Sequence, residues 1–309
     1  MKQIMTFIMM IFFYSCNVEN QISSTSGKNG NNFNKLTAEE NYILVKKGTE
    51  SRNSGQYNKH YKDGVYLCKR CDFALFRSES KFDSKSGWPA FDDNIADTVK
   101  KTRDGFRTEI LCNNCEGHLG HVFKSEGFTP KNTRHCVNSL SVKFIPAESL
   151  ETAVFASGCF WGTEHWLAKA KGVISTSCGY LGGYTKNPSY SQVCSGLTGH
   201  AEAVEVIFDK AKTDYESLAK LFFETHNPTQ VNRQGPDRGT QYRSEVFYTT
   251  DKQKEVTEKL IDILKKKGLK IATKVTKSPK FYEAEDYHQD YYQKNNKAPY
   301  CHKYVKVFE

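Results

Sequence analysis

The chain has 309 residues, enough for about two domains at roughly 150 residues each, and its 38% hydrophobic and 26% charged content with 21 Gly and 8 Pro excludes a collagen-like or wholly disordered chain. The only long apolar run is N-terminal, which excludes a polytopic membrane protein, and the net charge of +9 is spread along the chain rather than gathered in a patch, which argues against nucleic-acid binding. Ten cysteines are too few for a disulfide scaffold of this length and more than packing requires, so their positions carry the information.

The first segment reads as a targeting leader over residues 1–16. Lys2 supplies the positive end, and Ile4 to Tyr14 is apolar but too short to span a bilayer. Ser15-Cys16 resembles the lipobox of bacterial lipoproteins, with Phe13 where an aliphatic residue is usual. The resemblance implies a lipid on Cys16, membrane attachment through it and an extracytoplasmic location; a leader that is no signal would leave the protein cytoplasmic. Residues 17–34 are rich in Asn, Ser and Gly, as in a flexible tether.

Residues 35–146 read as a mainly β domain. Thr37 with Glu40 three residues on predicts a capped helix start. Strands are expected over Gly64–Leu67, Phe106–Leu111 and Leu140–Ile145. Cys68-Lys69-Arg70-Cys71 and Cys112-Asn113-Asn114-Cys115 each place two thiols on a tight turn, and the two turns together suit one closed tetrahedral site. Two independent redox pairs are the alternative, but neither precedes a clear helix. Cys136 stands apart between Arg134-His135 and Val137-Asn138, where positive neighbours would favour a thiolate.

Gly87-Trp88-Pro89-Ala90-Phe91, the two C-x-x-C pairs, His118-Leu119-Gly120-His121-Val122-Phe123 and Arg134 to Ser139, in this order, resemble the B-type methionine sulfoxide reductases. The resemblance implies one structural Zn2+ on Cys68, Cys71, Cys112 and Cys115, no organic cofactor, and reduction of the R epimer. Cys136 would be the nucleophile, His118, His121 and Asn138 would bind or protonate the sulfoxide oxygen, and Trp88 would face the S-methyl group. The sequence departs from the pattern twice. Ser86 stands where many of these enzymes carry a resolving Cys, so recycling of Cys136 by an external thiol, or by a cysteine elsewhere in the chain, is expected. Lys124-Ser125-Glu126-Gly127 lacks the acidic residue often found directly after the H-x-G-H-V-F segment, and leaves open whether Glu126 replaces it.

Residues 147–151 read as a linker and 152–309 as a second domain, an α/β two-layer sandwich with a mixed sheet. Strands are expected over Thr152–Ala156, Val173–Ser177, Ala203–Phe208, Ser244–Tyr248 and Lys270–Val275. Helices are expected from Cys159 to Lys171, from a Thr213 or Asp214 cap to Glu224, and over Asp251–Lys267. Cys159 then sits at a strand-to-helix junction, where free amides stabilise a thiolate.

The segments Gly158 to Glu164, Gly199 to Val204, His226 to Thr229, Gln234 to Ser244 and Ala284 to Gln289 resemble the A-type methionine sulfoxide reductases, which take the S epimer. The resemblance makes Cys159 the nucleophile and Glu202 the proton donor, with Tyr190, Asp237 and Tyr242 on the sulfoxide oxygen or orienting the site. Phe160 and Trp161 would surround the methyl group. Cys301, on a tail expected to be mobile, would resolve the Cys159 sulfenic acid as a disulfide opened by a thioredoxin-like reductant. Cys178 and Cys194 match no role. The whole reads as a monomeric bifunctional repair enzyme acting on oxidised proteins and free methionine sulfoxide, with no nucleic-acid partner. A general thiol–disulfide oxidoreductase would need a C-x-x-C heading a helix, and a zinc-stabilised binding module leaves Cys136, Cys159 and Glu202 unexplained.

Overall fold

The computed structural model describes residues 33–95 and 98–309, so the leader and Cys16 lie outside the described residues. Helix α1 (Ala38–Leu44) starts where the Thr37–Glu40 pair predicts. The Thr37 hydroxyl accepts from the Glu40 amide at 3.2 Å and the Glu40 carboxylate accepts from the Thr37 amide at 2.9 Å, a reciprocal cap. Nine strands follow among the described residues of this half: β1 (Gly64–Cys68), β2 (Ala74–Arg77), β3 (Lys81–Phe82), β4 (Ala90–Phe91), β5 (Val99–Asp104), β6 (Arg107–Cys112), β7 (His118–Lys124), β8 (Thr133–Val137) and β9 (Val142–Pro146). They form two antiparallel sheets, ordered β2-β1-β9 and β3-β4-β8-β7-β6-β5. Tyr66, Leu75, Phe76, Phe91, Ile110, Leu119 and Val137 fill the core between them. The strand expected from Leu140 begins at Val142 because Ser139–Ser141 forms a 3-10 turn, with the amides of Ser139 and Leu140 turned onto the Glu50 carboxylate.

A single 3-10 turn, Ala147–Ser149, leads into the second half. Here a six-stranded sheet is ordered β16-β15-β10-β12-β11-β17, from β10 (Leu150–Ser157), β11 (Val173–Leu181), β12 (Ala201–Asp209), β15 (Ser244–Tyr248), β16 (Lys274–Lys277) and β17 (Tyr282–Glu283). The β15–β16 pair is parallel and the others antiparallel, so the sheet is mixed as expected. A small hairpin, β13 (Arg233–Gln234) and β14 (Asp237–Arg238), stands outside it. Alternation along the central strands separates two faces. Ala153 and Phe155 of β10 with Val204, Val206 and Phe208 of β12 meet helices α2 (Phe160–Leu167), α4 (Tyr215–Thr225) and α5 (Asp251–Lys266). Short helices α3 (Tyr190–Cys194) and α6 (Tyr291–Lys294) border the site.

Local rules account for most helix ends. Asp214 caps α4 through the Ser217 amide at 2.8 Å, and Thr250 caps α5 through Gln253. Helix α2 stops at Leu167, short of the expected Lys171, and Gly172 at φ +84° turns the chain into β11. Strand β16 lies later than expected, because Ala272 is held by the Pro228 carbonyl and pairing starts only at Lys274.

The two halves touch along a seam. Ile174 and Ile207 of the second sheet pack against Val65, Leu67 and Ala74 of the first half. Asp72 pairs with Lys143 at 2.5 Å and with Lys212 of the second half at 3.0 Å. A cleft of about 1350 Å3 follows the seam, and none of the candidate nucleophiles lines it.

The C-terminal tail, expected to be mobile, is docked. His302 is buried, the Val305 amide bonds the Glu224 carbonyl, the Val307 and Phe308 amides both bond the Glu224 carboxylate at 2.9 Å, and Phe308 enters the core. Lack of hydrophobic periodicity marked the absence of regular structure, but the tail is held by a buried carboxylate that periodicity does not reveal.

Candidate active sites and metal centre

The two C-x-x-C turns are built alike. Cys68 ends β1 and Cys112 ends β6. In each turn the residue after the second Cys, Asp72 at φ +62° and Glu116 at φ +57°, curls back so that its amide bonds the first Cys carbonyl, at 2.9 and 2.8 Å. The turns face each other, with Cys68 Sγ 3.5 Å from Cys115 Sγ and Cys71 Sγ 3.6 Å from Cys112 Sγ. All four sulfurs lie within 4.8 Å of one another in a buried pocket. Arg70 of one turn donates to the Cys115 carbonyl of the other at 3.0 Å. Four buried thiols this close cannot all ionise unaided, whereas a tetrahedral cation would satisfy every one. The four residues fit a metal site.

Cys136 lies on β8, in register between Ala90 of β4 and His121 of β7, and is half-buried. Gly120 of β7, at φ +148°, lets the backbones close up, since a Cβ there would collide with the Cys136 carbonyl. The expected charge pattern is only partly present. Burial pushes the Cys136 thiol up, while the Arg134 guanidinium and the Ser86 hydroxyl pull it down. His135 adds no positive charge. It is turned into the core, its Nδ1 bonds the Phe91 carbonyl at 3.2 Å, and burial lowers it to about 4. Strand alternation puts neighbouring residues on opposite faces, so adjacency in sequence misled here.

Arg134 is held by a two-pronged pair to Glu126, at 2.7 and 2.9 Å, which sets a carboxylate behind the guanidinium. His118 gives its Nδ1 side to the Glu109 carboxylate at 2.7 Å, and Glu109 is shared with Lys47 at 2.8 Å. The buried Nε2 of His118 has no protein partner among the described residues. His121 meets Asp104 at 2.8 Å, with its ring 5.6 Å from that of His118. Asn138 is engaged at both ends of its amide, accepting from the Glu50 amide at 3.1 Å and donating to the Leu119 carbonyl at 3.2 Å, which makes it a brace. Trp88 is half-buried and donates to the Glu50 carbonyl at 3.1 Å. Glu50 therefore ties Trp88, Asn138 and the turn after Cys136 together. Sequence reasoning missed Glu50, because it lies far along the chain from every motif.

In the second half Gly158, at φ +102°, swings β10 into α2 with Cys159 as the residue that starts the helix. The Trp161 amide points at the Cys159 sulfur, as a helix start should provide. The expected low pKa is nevertheless absent. Contact with the Cys301 thiol, burial and the nearby Glu202 push Cys159 up, whereas Cys301 is drawn down to about 6 by the Cys159 contact and by His302. The two sulfurs are in contact, and each sets the proton affinity of the other.

Glu202, on β12 and 1% exposed, is raised by burial to about 8 although the Phe160 amide donates to it at 3.1 Å. A carboxyl raised this far can hold its proton at neutral pH, which suits an acid. Tyr190 opens α3 and Tyr242 closes a 3-10 turn; burial raises both phenols, and Glu202 faces both. Asp237 on β14 accepts from the Tyr300 hydroxyl at 3.0 Å on both oxygens, which ties it to the tail rather than leaving it free. Phe160 is buried beside Trp161, with ring centroids 6.4 Å apart. Trp161 stacks on Tyr291 at 3.7 Å and donates to His288 at 3.1 Å. Missed here were His288, the hub of Phe160, Trp161 and Tyr190, and His302, beside Cys301. Cys178 is buried under α2, and Cys194 is exposed with its thiol against Tyr190.

A thiol at a helix start, a second thiol against it and a protonated carboxyl, joined to a β domain with its own half-buried thiol, define a thiol-based reductase with two centres. A family profile described as peptide methionine sulfoxide reductase matches residues 151–309, and one described as SelR domain matches residues 36–146. "Peptide methionine sulfoxide reductase MsrA 1" of Rhodopirellula baltica is 48% identical over 163 residues, covering 52% of this chain and 84% of that protein. The MsrA of Saccharolobus solfataricus is 44% identical over 168 residues, covering 52% and 95%. Among solved structures, reduced Mxr1 from Saccharomyces cerevisiae is 36% identical over 51% of this chain and 93% of that one, with a TM-score of 0.48. The chain belongs to the peptide methionine sulfoxide reductase family, as a bifunctional member with a B-type (SelR) domain followed by an A-type domain.

Proposed function

We propose that the first domain reduces the R epimer of methionine sulfoxide at Cys136 and the second the S epimer at Cys159, in oxidised proteins and in the free amino acid. The observation that carries this reading is the pairing, in one pocket, of Cys159 with Cys301 and with the protonated Glu202. A thiolate attacks the sulfoxide sulfur, the oxygen takes a proton, methionine leaves, and the oxygen stays on the enzyme as a sulfenic acid. In the second domain Glu202 gives the proton. In the first, His121 stands opposite Cys136 in the strand register with His118 beside it, and the two serve the oxygen. Each pocket is handed, so two are needed to clear both epimers.

Recycling differs between the sites. Cys301 closes a disulfide with Cys159, which a thioredoxin-like reductant opens. Ser86 touches Cys136 and cannot do the same, so an external thiol reduces that sulfenic acid directly. The four-cysteine site holds one structural Zn2+. The protein acts as a monomer outside the cytoplasm, attached through a lipid on Cys16; mass spectrometry of the mature N-terminus checks this.

The test is an assay on the separated epimers. Cys159→Ser abolishes S reduction alone, and Cys136→Ser abolishes R reduction alone; either variant retaining both activities overturns the assignment. Cys301→Ser impairs thioredoxin-supported S reduction more than dithiothreitol-supported reduction, and an equal effect on the two removes the resolving role.

A further inference from the structure

His302 follows the resolving thiol and is 4% exposed, yet the family motifs quoted above leave it without a role. Its Nε2 lies 2.8 Å from the Ser157 carbonyl. A carbonyl only accepts, so Nε2 carries the proton. In a neutral imidazole the other nitrogen is then a lone pair, and Nδ1 lies 3.0 Å from Cys301 Sγ. The hydroxyls of Ser157 and Thr163 complete the Nε2 side, at 3.3 and 3.4 Å. The ring is seated in a space made for it. Gly162, in the first turn of α2, carries no Cβ, and one placed there would collide with Nδ1.

We infer that His302 is the general base of the resolving step: Nδ1 takes the Cys301 proton as that thiol attacks the Cys159 sulfenic acid. The inference rests on the reading of Cys301 as resolver. Its balance is simple. The Cys301 S–H bond breaks and its proton goes to Nδ1, while the sulfur lone pair forms the S–S bond. The S–O bond of Cys159 breaks, the hydroxyl leaves as water with a proton from solvent, and the imidazolium returns its own proton to solvent. No outside oxidant is needed, because the sulfenic acid is the oxidant. Once Cys159 carries oxygen it no longer shares its proton with Cys301, and the imidazole, 3.0 Å from the sulfur, is the base in direct contact with the resolver.

An unassisted thiol with a pKa near 8.5 is only about 3% ionised at pH 7, so loss of the base slows disulfide formation on the order of thirtyfold. The full-length enzyme is given a single equivalent of S-sulfoxide without reductant. Methionine release reports the first step, and mass mapping of alkylated Cys159 and Cys301 against time reports the second. His302→Gln keeps a donor toward the Ser157 carbonyl but has no basic nitrogen, whereas His302→Ala loses both. Expected is disulfide formation about thirtyfold slower in His302→Gln, with methionine release far less affected. Disulfide formation at the wild-type rate in His302→Gln but slow in His302→Ala overturns the inference, leaving His302 as a docking residue; equal rates in all three proteins overturn it as well. A wild-type enzyme that releases methionine without ever joining Cys159 to Cys301 defeats the resolver reading itself, which separates the two failures.

Discussion

Glu202 is the residue whose burial most directly sets chemistry. Its carboxyl is raised by burial from 4.5 to about 8, so the folded protein holds a proton there that the unfolded chain releases above about pH 4.5. The stability tied to this group is therefore complete below pH 4.5 and is lost as pH rises through about 8, at up to about 1.4 kcal/mol per pH unit. The same titration governs the acid role. S-epimer reduction supported by dithiothreitol should fall as pH passes about 8. Glu202→Gln should lose that limb, lower kcat about 10²- to 10⁴-fold and make melting less sensitive to pH between 5 and 8. A wild-type rate that keeps rising well above pH 8 would contradict the acid role. The thiols behave otherwise than their neighbours in sequence suggest: Cys136 lies beside a histidine turned away from it, and Cys159 has its helix-start amide outweighed by a second sulfur.

At the scale of elements, the two cysteine turns are what joins β1 to β6. These strands belong to different sheets, and Glu40 of α1 is anchored to Lys69 in the first turn at 3.0 Å. Removing the metal, or making Cys112→Ser, should leave buried unpaired thiols and free the two sheets to separate. The first domain should then lose a few kcal/mol, a melting shift of about 10–20 °C for a domain of this size. Metal analysis should give about one ion per chain in the wild type. In the variant, R-epimer reduction should disappear while S-epimer reduction persists, and a metal-free protein with unchanged melting would defeat the structural role. The capping box of α1, the Asp214 cap, the start of α5 and the strand β15 were legible in sequence because each is set by side chains within a few residues of the backbone they serve. The start of β9 was not, because it depends on Glu50, about ninety residues upstream.

For the whole molecule the seam between the halves is the main tertiary feature that no motif announces. Ile174, 7% exposed, packs against Val65, Leu67 and Ala74, beside the partly exposed Asp72–Lys212 pair. Such a pair contributes about 1 kcal/mol at most, so the apolar contact dominates. Ile174→Asp should open the seam rather than bury a charge, at a cost of about 2–3 kcal/mol. Calorimetry should show earlier melting of one half, proteolysis at Ala147–Ser149 should speed up, and both reductase activities should remain, since neither nucleophile lines the seam. Unchanged melting and cleavage would show that the halves do not support each other.

By itself the sequence showed the division into two domains and the four metal-fitting cysteines, and its resemblance to the two reductase types marked Cys136 and Cys159 as candidate nucleophiles and Glu202 as candidate acid. These are carried by ordered local motifs. Only the tertiary structure decided which groups surround each sulfur, that the tail is docked with Cys301 against Cys159, and that Glu50, Glu126, His288 and His302 lie at the sites. The reason is physical: burial and contact between distant segments set a group's proton affinity and its partners, and neither quantity is encoded in adjacency along the chain.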